Sequence, residues 1–145
     1  MRFLCDEMLA RLARLLRAAG YDTLLAAGQA DDELLAVAEA EDRILLTRDK
    51  ALAARAGARG RLVSGRDVME EAAGLQVDWD LAPFTRCVVD NTYMIDSSEG
   101  DIARMPESAR SLPGPFRTCP SCGRLYWPGS HVRRMAERLA ILSRP

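Results

Sequence analysis

The sequence predicts an α/β protein whose central sheet is mainly parallel. Over the first 75 residues, short apolar runs typical of buried strands alternate with stretches in which apolar residues recur at helical spacing. Strands that alternate with helices usually pair in parallel, and helices then cover both faces of the sheet. Beyond Gly74 the alternation stops and a Pro/Gly-rich run precedes a Cys-x-x-Cys pair, which indicates a small C-terminal attachment.

Each element is predicted from a local pattern. The predicted strands are RFLC, DTLLAA, RILLT and RLVS. The predicted helices are MLARLARLLRAA, closed by Gly20, DELLAVAEAE, which Asp31 can cap, KALAARA and RDVMEEAA. A last helix lies in GSHVRRMAERLAIL, with Ser130 as its cap. Its residues able to pack inward are Val132, Met135, Leu139 and Leu142.

We therefore expect three parts in the chain. Residues 1–83 form the α/β domain. Residues 84–130 form the attachment, with a mobile loop at about 95–115, because this stretch has little periodicity and is rich in Pro and Gly. Residues 131–145 form a helix that packs back on the domain.

Composition narrows the class of protein. Hydrophobic residues make up 48% and charged residues 28% of the 145, which is typical of a globular chain. No apolar run approaches the roughly 18 residues needed to span a bilayer. Asp6 and Glu7 lie where a signal peptide would be apolar, so we expect a soluble, cytoplasmic protein without a membrane partner. In such a compartment, Cys-x-x-Cys indicates metal binding or redox chemistry rather than structural disulfides.

The net charge of −1 conceals a strong asymmetry. Residues 1–100 carry 12 basic and 18 acidic side chains, whereas residues 101–145 carry 8 basic and 3 acidic ones. An acidic body with a basic C-terminal part indicates a negative centre and a separate surface that attracts a polyanion.

Three aspartates are the candidate catalytic residues. Asp6 directly follows RFLC and Asp49 follows RILLT across one residue, so both lie at the carboxyl edge of the sheet if these strands are neighbours. Asp31 opens the helix before RILLT and is the third candidate. Converging carboxylates need a cation, and magnesium or manganese suits oxygen ligands. Such a site hydrolyses phosphodiesters. Candidates to support the ligands are Glu7, Glu33 and Thr47.

The same residues have a structural alternative. Asp6, Asp31 and Asp49 each stand at the start of a helix, where a carboxylate can cap free N–H groups, and the two roles are compatible. Arg11, Arg14 and Arg17 recur every three residues and form either a basic stripe for a nucleic-acid backbone or a solvated helix face.

The cysteines predict a zinc site with an unusual ligand set. Cys119 and Cys122 form one knuckle, and the other half is Cys87 with Asp90 where a second Cys would stand. The alternatives are His131 as fourth ligand, or an attachment that folds without metal. Cys5 should be a buried apolar residue. Two aromatic residues either pack on the attachment or stack on a base, namely Tyr126 and Trp127.

Three stretches together resemble the mutator-seven C-terminal RNase family. They are FLCDEMLARLARLLRAAGYDT, DDELLAVAEAEDRILLTRD and CPSCGRLYWPGSH. The resemblance implies a PIN-like fold with an appended zinc ribbon, a divalent-metal ribonuclease site at Asp6, Asp31 and Asp49, and RNA as substrate. The chain departs from the PIN-like pattern because no fourth acid follows closely after Asp49; the next is Asp67, beyond another strand.

We therefore predict a metal-dependent ribonuclease acting on single-stranded or structured RNA. The predicted RNA-binding residues are Arg11, Arg14, Arg48, Lys50, Arg133 and Arg134. The alternatives are a non-catalytic RNA-binding module and the toxin of a toxin–antitoxin pair. The sequence does not predict the oligomeric state.

Overall fold

Four short strands form the central sheet of the computed structural model, which describes residues 1–144. The strands are β1 (Arg2–Cys5), β2 (Asp22–Leu25), β3 (Ile44–Thr47) and β4 (Gly60–Leu62). All three pairings are parallel, in the order β2-β1-β3-β4, and Cys5 of β1 lies opposite Leu46 of β3. The prediction of an α/β fold with a mainly parallel sheet is confirmed.

Helices connect the strands and cover both faces of the sheet. They are α1 (Ala10–Ala18), α2 (Asp31–Ala40), α3 (Lys50–Arg55) and α4 (Val68–Ala73). Side chains alternate across a strand, so Phe3 and Cys5 pack with α1 and α4, whereas Leu4 packs with α2 and α3. Cys5 is fully buried, as predicted, and its burial raises the pKa of its thiol to about 12.

The N-caps of α2 and of the last helix are not the residues that the sequence predicted. The N-cap of α2 is Ala30 rather than Asp31, and neither it nor Gly129, the N-cap of the last helix, makes a side-chain cap bond. Asp31 and Ser130 are instead the first helical residues, so both predicted caps are wrong. Capping requires extended backbone at the capping residue, and in each case the preceding residue adopts it.

A second, antiparallel sheet forms the attachment. Its strands are β5 (Ile95–Asp96), β6 (Arg117–Thr118) and β7 (Leu125–Tyr126). Two short helices, α5 (Glu99–Ala103) and α6 (Glu107–Arg110), lie within the stretch predicted to be a loop at about 95–115. The prediction of a loop there is therefore wrong in part. Elements of two to five residues are too short to leave a periodic pattern, although Ser98 and Asp101 form a capping box that marks the start of α5.

The last helix, α7 (Ser130–Leu142), reaches the core of the central sheet. Leu139 is fully buried there, and Met135 and Leu142 pack against the same cluster. None of the helices within residues 1–144 has the length and apolar composition that crossing a membrane requires.

The loop that begins the attachment is fastened to the edge strand β2 by polar contacts. The side chain of Asn91 accepts a hydrogen bond from the backbone N–H of Thr23 (2.9 Å) and donates one to Oδ1 of Asp22 (2.8 Å). From α1, the buried Arg17 donates to the carbonyl oxygens of Thr23 (2.9 Å) and Val89 (2.9 Å). These bonds satisfy backbone groups that an edge strand would otherwise leave unpaired.

Replacing the amide of Asn91 by a carboxylate should weaken this junction in a pH-dependent way. Burial alone would raise the pKa of Asp22, but hydrogen bonds from Arg43 and Asn91 lower it. In Asn91→Asp a second carboxylate replaces the Asn91 donor, so we expect a loss of about 1–3 kcal/mol of unfolding free energy at pH 7. Each carboxylate raises the other's folded-state pKa, so the deficit should shrink as the pH falls and one of them is protonated.

Urea unfolding at pH 7 and pH 4.5, followed by circular dichroism, measures this difference. Gln76→Glu is a matched control, because it makes the same amide-to-acid change at an exposed residue with positive φ, and it should shift the unfolding free energy by less than about 0.5 kcal/mol. An Asn91→Asp deficit that is equal at both pH values would contradict the expectation.

Candidate carboxylate site and metal cluster

Asp6 and Asp49 lie side by side at the carboxyl edge of the sheet. Asp6 follows β1, and its N–H donates to the carbonyl of Leu46 in β3 (2.9 Å). Asp49 follows β3 across Arg48 and caps α3, its Oδ1 accepting from the N–H of Ala51 (2.8 Å). Because β1 and β3 are paired in parallel, both residues emerge at the same edge, as the sequence predicts.

Thr47 links the two aspartates. Its hydroxyl donates to Oδ2 of Asp6 (2.8 Å) and accepts from the N–H of Asp49 (3.0 Å), and the side chain is fully buried. Oδ1 of Asp6 meanwhile accepts from the N–H of Glu7 (2.8 Å) and caps a 3-10 turn, Glu7–Leu9. Both aspartates therefore act as N-caps at the sheet edge, and each uses Oδ1 alone for its cap bonds.

Asp31 opens α2, which follows the edge strand β2, and its carboxylate lies near an arginine. Arg55 at the end of α3 lies 3.8 Å from Oδ2 of Asp31 and pairs with Asp32 as well. Within residues 1–144, Asp6, Asp31 and Asp49 do not form a set whose ligand atoms all lie within 4.8 Å of one another. The structure thus joins two of the three acids through Thr47 and pairs the third with an arginine.

The supporting residues differ in what they contact. Thr47 bonds to Asp6, as described, whereas Glu7 contributes only its backbone N–H to the aspartate. Glu33 is exposed in the first turn of α2, and its carboxylate makes no hydrogen bond with any described residue.

Glu71 is a buried acid near this edge that the sequence analysis missed. Its side chain, 7% exposed, forms an ion pair with Arg48, the residue between Thr47 and Asp49. Val68 and Ala72 form the core-facing side of α4, and Glu71 falls on the same side at helical spacing from Val68. An acid on the apolar side of a predicted helix was the sequence signal that could have identified Glu71 as buried.

The predicted RNA-binding residues lie on exposed surfaces, with one correction to the basic stripe. Arg11 and Arg14 are exposed on α1, but Arg17 is buried, so the stripe of three is wrong. Arg17 is drawn inward because its guanidinium satisfies backbone carbonyls, and burial lowers its pKa. The other predicted residues exposed in the structure are Arg48, Lys50, Arg133 and Arg134.

A second group of ligand-type residues lies in the attachment. Atoms of Cys87, Asp90, Cys119 and Cys122 all lie within 4.8 Å of one another, the only such group among residues 1–144. His131 is not part of it; its ring lies 3.4 Å from Arg134. The β6–β7 hairpin carries Cys119 and Cys122, and the loop before β5 carries the other two ligands.

The spacing within this cluster fits a tetrahedral metal ion. The sulfurs of Cys87 and Cys122 are 3.7 Å apart, and Sγ of Cys119 is 3.4 Å from Oδ2 of Asp90. A tetrahedral zinc with bonds of ~2.3 Å to sulfur and ~2.1 Å to oxygen would give about 3.8 Å and 3.6 Å. The four residues could hold a metal ion, and the three thiols favour zinc.

Hydrogen bonds and burial shift the pKa values of two residues in the cluster in opposite directions. Burial alone would raise the pKa of Asp90, but its bond from the N–H of Thr92 (3.0 Å) and those from the neighbouring thiols lower the pKa to about 2. Burial raises the pKa of Cys119 to about 11. The hydroxyl of Tyr126 lies 3.3 Å from the sulfur of Cys87, so this aromatic residue packs on the cluster.

The fold and these two sites define an α/β domain with paired carboxylates at the carboxyl edge of its parallel sheet and a metal-type cluster in its attachment. The chain belongs to the Mut7-C RNAse domain family, whose model matches residues 1–139. The resemblance stated from the sequence is therefore confirmed, and the family indicates a ribonuclease with RNA as its substrate. A search of the curated proteins gave no match, and neither did a search of the solved structures.

We expect the protein, purified without chelator, to contain about one zinc ion per chain, a content that elemental analysis measures. Cys119→Ser should lower the zinc content sharply because it removes a thiolate, whereas Cys5→Ala, also a buried thiol but outside the cluster, should retain it. Asp90→Cys should slow zinc release to a chelator, because a soft ligand replaces a hard one. Equal zinc contents in Cys119→Ser and Cys5→Ala would contradict the assignment.

Proposed function

We propose that this protein is a divalent-metal-dependent ribonuclease that hydrolyses RNA phosphodiester bonds at Asp6, Asp49 and Asp31. The observation that carries the proposal is the pair of aspartates at adjacent strand ends, joined by a buried threonine, in a member of an RNase family. The family supports RNA as the substrate, and the carboxylates support a hard cation as the cofactor.

The donor set of this edge fits magnesium or manganese. Oδ2 of Asp49 makes no hydrogen bond within the described chain, so an oxygen of this carboxylate is free to ligate. Asp6 would be the second ligand, and Asp31 would join them by exchanging Arg55 for the cation. When bound, the ion lowers the pKa of an attacking water and stabilises the leaving oxygen.

The chain's own residues prepare the site and hold the substrate. The Thr47 hydroxyl fixes the orientation of the Asp6 carboxylate, and the cap bonds of Asp49 fix the other. The ion pair with Glu71 holds Arg48 at the edge, where its charge and that of Lys50 attract the phosphate. Catalysis of this type depends on positioning and electrostatics, and no covalent nucleophile takes part.

The proposal includes a division of the chain. Residues 1–83 would form a PIN-like nuclease domain, and residues 84–130 would form a zinc-stabilised attachment. The C-terminal helix would pack back on the domain. The two groups of candidate ligands support this division, because the aspartates fall in the first part and the thiols in the second.

Cleavage of labelled single-stranded RNA with and without manganese tests the proposal. Asp6→Asn and Asp49→Asn should each reduce the rate by more than the 10–100-fold typical of residues that only support a metal ligand, and Thr47→Val should reduce it by about 10–100-fold. Asp42→Asn is the matched control, because this exposed acid precedes β3 at the opposite edge of the sheet and should leave the rate unchanged.

If no metal-dependent cleavage is observed, the proposed ribonuclease activity is wrong. If RNA nevertheless bound equally to the wild type and Asp6→Asn, the non-catalytic RNA-binding module would replace it.

A further inference from the structure

A cleft of about 460 Å³ lies between α1, α4, α7 and the attachment. Its floor is apolar, and the side chains that form much of it are Leu15, Ala18, Phe84, Val132 and Met135. Its rim is basic, with Arg11 and Arg14 from α1 facing Arg138 and His131 from α7. The volume falls in the range of roughly 300–1,000 Å³ that is usual for sites of small organic groups.

The three arginines on the rim are not engaged in ion pairs with the described part of the chain. Within residues 1–144, the guanidinium groups of Arg11, Arg14 and Arg138 make no ion pair and no hydrogen bond, and no acidic residue lines the cleft. Asp67, whose charge interacts with that of Arg138, uses its carboxylate to cap α4. Three unpaired arginines around an apolar floor suit a ligand that is anionic at one end and flat and apolar at the other.

The cleft adjoins a second, smaller cleft that is lined by neighbours of the two edge aspartates. Arg11 lines both clefts. The smaller one also contains Leu9, from the 3-10 turn that Asp6 caps, and Arg48. Its two acids are already engaged, because Glu71 pairs with Arg48 and Asp67 caps α4. Arg14 lies three residues further along α1, about 4.5 Å from Arg11 along the helix axis. A chain with regularly spaced phosphates could therefore pass from Arg48, next to Asp49, along α1 to the larger cleft.

We propose that this cleft binds an unpaired nucleotide of the RNA strand beside the cleaved bond. Arg11, Arg14 and Arg138 contact the phosphates, and the base packs on the apolar floor next to Phe84. A base in a duplex is stacked and paired and cannot reach such a floor, so the cleft makes the protein selective for single-stranded RNA. The inference rests on the proposed ribonuclease and deepens it by assigning the form of its substrate.

Binding of a fluorescent ten-nucleotide RNA, measured by anisotropy without added divalent metal and without chelator, tests the cleft directly. The double variant Arg14→Gln/Arg138→Gln should raise Kd by about 10-fold or more and reduce the slope of log K against log salt by about 1.4, since each phosphate contact on a single strand contributes about 0.7. The full-length chain is used, and circular dichroism checks that each variant is folded.

Arg2→Gln/Arg110→Gln is the matched control, because it removes the same two charges from exposed arginines outside the cleft. It should change Kd by less than about 3-fold and leave the salt slope unaltered. An equal loss in both double variants would show that only the overall charge matters and would overturn the proposal.

Two further probes test the floor. An abasic strand of the same length keeps the phosphates and should bind about 10-fold more weakly, because base packing is lost. A duplex of the same sequence should also bind more weakly than the single strand. If the duplex or the abasic strand binds as tightly as the single strand, or if the cleft variant loses binding to anionic vesicles but not to RNA, the assignment is wrong.

The outcomes separate this inference from the nuclease itself. If RNA binding depends on the cleft but the protein never cleaves RNA, the cleft assignment is supported and the proposed ribonuclease activity is wrong. If cleavage requires Asp6 but the Km for RNA is the same in Arg14→Gln/Arg138→Gln as in the wild type, the cleft assignment is wrong and the ribonuclease activity is supported.

Discussion

The parallel pairing of β1 with β3 is the constraint on which the candidate site depends. It places the residue after Cys5 beside Thr47, so that one buried hydroxyl reaches Asp6 and the backbone of Asp49 at once. A shift of one residue would turn the alternating side chains of β3 to the opposite face and separate the three. The apolar contacts of both strands with helices on either face hold the register, so the core and the site depend on the same pairing.

The attachment is integrated with the sheet through polar contacts as well as packing. Arg17 and Asn91 join α1 and the edge strand β2 to the loop that contains two of the four metal-type ligands. A buried guanidinium bonded to carbonyls is costly to leave unpaired, so the loop and the helix stabilise each other. A metal ion that fixed the cluster would therefore also stabilise the edge of the central sheet.

The fold brings part of the basic C-terminal segment next to the first helix of the acidic N-terminal part. The acidic first part supplies the aspartates at the sheet edge, and the basic C-terminal part supplies Arg138, which α7 carries back to face two arginines of α1. Arg138 thus lines one cleft together with arginines from the opposite end of the chain. In the proposed nuclease, such an arrangement would attract a polyanion to the basic cleft and a cation to the carboxylates.

The sequence by itself determined the alternation of strands and helices, the parallel sheet, the edge positions of Asp6 and Asp49, and the four-residue cluster around Cys87. These features depend on local periodicity, strand ends and ligand spacing, which the chain carries in short segments. Only the tertiary structure decided that Arg17 is buried, that Asp31 pairs with Arg55, and that Glu71 lies inside beside Arg48. The charged partners of Asp31 and Glu71 lie 23 or 24 residues away, and one acceptor of Arg17 lies 72 residues away. Which faces of separate elements meet is set by packing of the whole chain and leaves no local pattern.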